Sequence, residues 1–292
     1  MMKKSIISLT LSFIFVAAFL TGCGSNDSST TTDATTASNA SAEQTVSTPD
    51  KVETIVLKVG ATPAPHAEIL EFIKNILAEQ GIELEITEFN DYIMPNTALD
   101  DGSLDANFFQ HLPYLENFNV ENNTDLVSVA GIHIEPYAIY PGRVELLEDL
   151  PNGAQIGIPN DPTNEGRALL LLQDLGLITL KADAGLEATP RDIEVDGNPN
   201  NINFIELEAA QLPVSLPDLD FAVINGNYAI EAGIRDTALE TEGAESPYVN
   251  VIAVRSGDEK RPEILALITA LQSDEVRNFI IERYEGEVIP IF

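Results

Sequence analysis

The chain has one cysteine, Cys23, among 292 residues. A disulfide within the chain is therefore impossible, and so is a zinc site built on thiolates. Basic residues are scarce too: 15 Lys and Arg stand against 47 Asp and Glu, a formal net charge of −32. Such a surface repels phosphate backbones and anionic lipid, which argues against nucleic-acid binding and excludes a polybasic membrane patch. The acidity serves solubility and says little about a small ligand, whose capture depends on the field inside a cleft. Enzyme signatures are missing as well. There is no G-x-S-x-G, no Walker loop, no H-E-x-x-H and no dinucleotide glycine fingerprint after a strand. The three histidines, His66, His111 and His133, lie far apart with no metal-ligand spacing. Acidic pairs such as Asp100 and Asp101 are what this composition produces by chance. Nothing points to catalysis, a metal or a cofactor, although Ser, His and Asp can converge in space from anywhere in a chain.

The N-terminus gives the cysteine a purpose. Lys3 and Lys4 precede an apolar run over 6–20, short for a membrane span, and Leu20-Thr21-Gly22-Cys23 follows. The pattern resembles a bacterial lipobox: residues 1–22 are expected to be a lipoprotein signal peptide, and Cys23 the lipidated first mature residue. Residues 24–50 are rich in Ser, Thr, Ala and Asn, with almost no large apolar side chain. They cannot bury enough surface to offset their ordering entropy, so 23–50 is expected to be a lipidated cysteine with a disordered tether.

From Thr54 onward, strands and helices alternate. The sequence predicts a strand at 54–60, a helix at 66–80 stopped by Gly81, and an alternating strand at 82–89. A brief helix should end at Gly102, followed by a strand-like 104–109, a helix over 110–118 and a strand at 126–134. Pro141-Gly142 marks a turn, after which the pattern resumes with a strand at 154–158 and a helix at 168–175 capped by Gly176. Further strands are expected at 204–209, 220–224 and 248–255, with closing helices at 258–272 and 273–284. This alternation implies an α/β fold with parallel sheets covered on both faces. Turn-rich segments near 136–142 and 243–247 divide it into two lobes joined by two crossovers. Residues 51–138 plus 248–292 would form lobe 1 and 139–247 lobe 2, with a ligand in the interlobe cleft.

One stretch stands out as a site. Residues 160–167, NDPTNEGR, look like a polar turn opening onto a helix, with Arg167 one turn inside. Free N–H groups and the positive dipole end suit an anion, and a guanidinium can hold a carboxylate in bidentate fashion. An ordinary helix cap would look the same. Polar and aromatic residues at other strand ends could share the crevice: Tyr92, Phe109, His111, Asn225 and Asn250. Singly, each has a plain alternative as a core aromatic, a buried histidine or a turn residue.

Several segments together resemble the methionine-binding lipoprotein (NlpA/MetQ) family. They are Phe-Phe-Gln-His-Leu-Pro-Tyr-Leu at 108–115, the run at 157–173, Glu-Leu-Glu-Ala-Ala-Gln-Leu-Pro at 206–213, Ala-Val-Ile-Asn-Gly-Asn-Tyr-Ala at 222–229 and Ser-Pro-Tyr-Val-Asn at 246–250. The resemblance runs from about residue 54 to the C-terminus. It implies a two-lobed periplasmic-binding-protein fold, type II-like, with two crossovers. It implies a lipid-anchored, extracytoplasmic and monomeric binding protein that gives methionine, the L enantiomer first, to an ABC permease and ATPase complex. The ligand contacts it implies are Tyr92, Phe109, His111, Asn164, Arg167, Asn225 and Asn250, with Tyr114 and Tyr228 as further wall. Val214 departs from the family pattern, where a basic residue is common, and the chain is more acidic than the family; both features bear on docking rather than on the pocket. Three alternatives stay open: a relative binding D-methionine or a methionine-containing dipeptide, a surface interaction lipoprotein with a vestigial cleft, and a hydrolase using Glu165 or His111 as base.

Overall fold

A computed structural model describes residues 54–243 and 246–292. The signal peptide, the lipidated Cys23 and the tether expected from the sequence lie outside the described residues. Among those described, no helix is long and apolar enough to cross a membrane.

The chain opens with β1 (Ile55–Ala61), α1 (Glu68–Ala78) and β2 (Ile82–Glu88), then α2 (Met94–Asp100), β3 (Ala106–His111), α3 (Leu112–Asn122) and β4 (Leu126–Ile134). It continues through β5 (Ala138–Pro141), β6 (Gln155–Pro159), α4 (Pro162–Asp174), β7 (Asn203–Leu207), α5 (Leu212–Ser215), β8 (Phe221–Ile224), α6 (Gly226–Glu231) and β9 (Glu240–Thr241). It closes with β10 (Val249–Arg255), α7 (Pro262–Leu271), α8 (Asp274–Tyr284) and β11 (Ile289–Pro290).

These strands build two sheets, ordered β11-β4-β10-β3-β1-β2 and β7-β6-β8-β5-β9. The chain leaves the first sheet after Ile134 and returns to it at Val249, so two short crossovers connect the sheets. Neither sheet is all-parallel, contrary to the expectation from alternation. β1 runs parallel to β2 and β3, but β10 runs antiparallel to both of its neighbours, β3 and β4. In the second sheet β6 is parallel to β7 and β8, while β5 is antiparallel to β8. Apart from the short C-terminal β11, antiparallel to β4, the exceptions are the two strands that enter directly from the other sheet. Such a strand lacks the helical connection that returns a chain to its starting edge, so it need not share its neighbours' direction.

The cores follow the apolar periodicity. On α1, Ile69, Leu70, Ile73 and Leu77 recur at helical spacing, and they pack with Ile264, Leu267 and Leu271 of α7 against one face of the first sheet. The opposite face is covered by Leu99, Leu115 and Phe118. In β3 the two-residue period sends Phe108 to the first of these clusters and Phe109 to the second. The second sheet is covered on one side by Ala168, Leu169, Leu171 and Leu172 of α4. Leu212, Tyr228 and Ala229 cover its other side.

Candidate functional site

Arg167 is 4% exposed, and both crossovers dress it. Its guanidinium lies between the rings of Tyr137 and Tyr248, 4.6 and 4.3 Å from their centroids. Each tyrosine follows a proline, in Glu135-Pro136-Tyr137 on one crossover and Ser246-Pro247-Tyr248 on the other. Arg167 Nε donates to Glu242 Oε2 at 3.0 Å, and Nη2 donates to Glu242 Oε1 and to the Glu135 carbonyl at 2.7 Å. The forked edge of the guanidinium, expected to grip an anion, is therefore occupied by an internal carboxylate. Nη1 has no hydrogen-bond partner among the described residues, and it is the nitrogen left for the cavity.

The helix end departs from expectation in a second way. α4 begins already at Pro162, so residues 162–167 are helix rather than turn. Pro162 supplies the pre-set backbone angle of a first helical residue, and Asp161 caps it by accepting from Asn164 N at 3.0 Å. The N-terminus thus already holds a carboxylate of its own, and Asp161 does not line the main cavity. Any anion there is left to side chains. The early start does place Asn164 and Arg167 one helical turn apart on a shared face.

Hydrogen bonds fix the orientation of the remaining polar groups. His111 ends β3 and caps α3, its Nδ1 accepting from Tyr114 N at 3.1 Å. Nε2 must then carry the proton, which it donates to Asn164 Oδ1 at 3.2 Å. Asn225 Nδ2 donates to the same oxygen at 2.8 Å, and Asn164 Nδ2 donates to Asp161. Asn164 is therefore saturated by the protein and ties the two sheets together. A second relay runs from Thr62 through His66 to Asn250. The hydroxyl meets His66 Nδ1 at 2.7 Å, and His66 Nε2 donates to Asn250 Oδ1 at 3.1 Å, which leaves the Asn250 amide N–H groups free to face the cavity.

Burial holds both of these imidazoles neutral. It pushes His66 down to about 4, against a partial opposing pull from Glu135, and His111 down to about 3, where Arg167 adds to the effect. Unfolding returns each to its ordinary 6.5. Their contribution to stability is thus complete above about pH 6.5 and is lost as pH falls toward the folded values. Glu165 acts in the opposite sense. Burial and Glu206 push it up to about 7, so its contribution is greatest at low pH and is lost as pH rises through 7. Imidazole ring resonances of His66 and His111 should accordingly stay at neutral shifts from pH 7 to pH 5. A titration midpoint near 6.5 for either ring would contradict these environments.

Aromatic rings form the other wall. Tyr92 packs on Phe109, Tyr114 and Tyr228 with centroids 5.9, 5.7 and 5.1 Å apart, and its hydroxyl donates to Asn227 Oδ1 at 2.6 Å. Groups from both walls line one cavity. All seven residues nominated from the sequence line it: Tyr92, Phe109, His111, Asn164, Arg167, Asn225 and Asn250. Tyr114 lines it too, whereas Tyr228 supports Tyr92 from a neighbouring depression.

Sequence reasoning missed Glu135 and Asn227, which also line the cavity, and Glu242, which pairs with Arg167. The repeated Pro-Tyr pair, one in each crossover, was the available signal for the first. The spacing argument against the histidines also fails in space. His133 Nε2 donates to Glu135 Oε1 at 2.8 Å, and His66 Nε2 lies 3.3 Å from the same oxygen. These three donors form a compact buried group of the kind that can hold a metal ion. Here the two imidazole N–H groups have oxygen acceptors, in Glu135 and Asn250, without one.

The family model of the NlpA lipoproteins matches residues 57–292. The chain belongs to that family. It is 44% identical over 235 residues to membrane lipoprotein TpN32 of Treponema pallidum, spanning 80% of this chain and 87% of that one. It is 40% identical over 238 residues, with the same coverage, to the D-methionine-binding lipoprotein MetQ of Escherichia coli K12. Among solved structures, a nutrient-binding protein from Burkholderia cenocepacia bound to methionine superposes with a TM-score of 0.78 at 43% identity, covering 81% of this chain and all of that one. The two sheets with their paired crossovers are thus the two-lobed fold of periplasmic substrate-binding proteins.

Proposed function

We propose that this lipoprotein captures L-methionine in the cavity around Arg167 and delivers it to an ABC permease and ATPase complex, held to the extracytoplasmic face of the membrane as a monomer by a lipid on Cys23. The observation that carries this reading is the meeting, around one cavity, of an arginine, oriented amides and an aromatic wall. Arg167 Nη1 and the Asn250 amide would hold the α-carboxylate, the charge-assisted contact contributing about 1.5–3 kcal/mol. Tyr92, Phe109 and His111 would enclose the unbranched thioether, where each sulfur–aromatic contact contributes roughly 0.3–1.5 kcal/mol. Asn164 and Asn225 would brace the site across the cleft. The methionine in the Burkholderia relative and the name of the Escherichia coli one support the same ligand class. That name also favours a second reading, in which the D enantiomer is the preferred ligand.

A hydrolase has less support. His111 has both ring nitrogens engaged within the protein, and Glu165 lines a separate depression with Arg191 and Glu206. Mass spectrometry of protein extracted from membranes tests the proposal in one experiment. The denatured sample should release methionine, and the N-terminal peptide should carry a lipid on Cys23. Calorimetry on protein stripped of carried-over ligand should then show micromolar or tighter binding without turnover, and comparison of the two enantiomers decides chirality. Absence of heat with either enantiomer and with methionyl peptides would sink the proposal.

A further inference from the structure

Glu135 begins the first crossover and is 5% exposed, yet it lines the cavity. Its Oε1 accepts from His133 Nε2 at 2.8 Å and lies 3.3 Å from His66 Nε2. Its Oε2 has no hydrogen-bond partner among the described residues. It lies over Gly226, where an added Cβ would come within 3.2 Å of it and 2.9 Å of Glu135 Cβ. A side chain on residue 226 would therefore push the carboxylate out of place.

The charges around the cavity do not balance. Among the described residues Arg167 is the one cation lining it, and Glu242, with its side chain 13% exposed, already neutralises that cation. His66 and His111 are neutral. The Nδ1 atom of His133 is buried with no hydrogen-bond partner among the described residues, so a hydrogen there would have no acceptor, whereas Nε2–H has one in Glu135. Asp161, the cap of α4, spends its oxygens on Thr163 and Asn164. Burial raises the cost of the Glu135 charge, but the N–H that His133 donates to it and the nearby Arg167 guanidinium hold the carboxyl below its ordinary value. One buried, uncompensated negative charge remains, with an oxygen turned to the cavity.

We infer that Glu135 is the subsite for a primary ammonium, and that the cavity selects its ligand first by a free α-ammonium and only second by a carboxylate. This rests on the proposed methionine reading and sharpens it. The ligand class becomes amines bearing the methionine side chain, with amide or ester derivatives at the carboxyl end tolerated. N-acylated and deaminated analogues are rejected, because they would leave the Glu135 charge buried without a partner.

Calorimetry on the full-length lipoprotein, freed of carried-over ligand, tests this with methionine, methioninamide, N-acetylmethionine and 4-(methylthio)butanoate. Methioninamide should bind roughly 10–100-fold more weakly than methionine, and the two analogues without an ammonium should be weaker again by a similar factor. Glu135→Gln should weaken methionine binding by roughly 10–100-fold and narrow the gap between methioninamide and the deaminated acid. Glu135→Asp keeps the charge and should retain the analogue order, which guards against a general folding defect in the glutamine variant. The ranking on the unaltered protein needs no variant at all. If methionine binds but the deaminated acid matches or exceeds the amide, the ammonium subsite is wrong and the methionine proposal stands. If neither methionine nor any analogue binds, both are overturned.

Discussion

Arg167→Ala is expected to abolish methionine binding and to lower the melting temperature by roughly 10 °C. The binding loss follows from removing Nη1, the one guanidinium nitrogen without a partner among the described residues, and with it a charge-assisted contact. The stability loss has a separate origin. Without the guanidinium, the Glu242 carboxylate is left without its partner in a site that is 13% exposed, and the facing rings of Tyr137 and Tyr248 lose what lies between them. Breaking a buried ion pair by removing one partner costs about 3–5 kcal/mol, more than the pair itself contributes. The double variant Arg167→Ala/Glu242→Ala should therefore recover part of the melting temperature while its binding stays lost. Thermal unfolding and calorimetry on the wild type, both single variants and the double variant separate the two effects. Equal melting temperatures for Arg167→Ala and the double variant would show that Glu242 is not stranded, and the bidentate pair would then be of no energetic consequence.

The ion pair also marks the limit of what sequence pattern could reveal. Arg167 stood out because a polar turn at 160–167, NDPTNEGR, leads there into an apolar helical run. Glu242 could not stand out. It lies in Glu-Thr-Glu-Gly-Ala-Glu, in a chain where acids are everywhere, and only the return of the second crossover beside α4 gives it a partner. For Glu135 the Pro-Tyr pair marked the place but not the partners, since its histidines come from β4 and from the turn before α1. The helices were legible because each buries one stripe, as Ile69, Ile73 and Leu77 do on α1. Strand direction was not legible. Periodicity identifies a strand and its buried face but not which way it enters a sheet, so the antiparallel insertion of β10 between β3 and β4 had no local signature. The same holds for β3, whose extension through His111 depends on pairing with Asn250. The aromatic and amide residues of the site were recovered at strand ends, where an open α/β architecture gathers them whatever the strand directions.

Gly166→Ala should be the most damaging single-methyl change in the site, although alanine is the better helix former by about 1 kcal/mol. The residue lies inside α4, where glycine has no conformational advantage and its φ is ordinary. What it provides is absence of a side chain. An added Cβ would lie 2.1 Å from the Leu186 carbonyl oxygen, 2.7 Å from its carbon and 2.9 Å from Ala188 N, all backbone atoms with no rotamer to yield. Either the 186–188 segment lifts off the helix, or α4 shifts. The first exposes Ala188, now fully buried against Leu169 and Leu172. The second displaces Arg167, the adjoining residue, from the narrow slot between Tyr137 and Tyr248. Overpacking of this kind costs about 1–3 kcal/mol or more, enough to outweigh the gain in helix propensity. The variant should melt several degrees lower and bind methionine more weakly. Calorimetry then distinguishes the two routes: a stability loss with affinity intact identifies the loop as the part that moves, whereas a joint loss identifies the helix. An unchanged melting temperature would mean that the backbone of 186–188 does not rest on α4 as described.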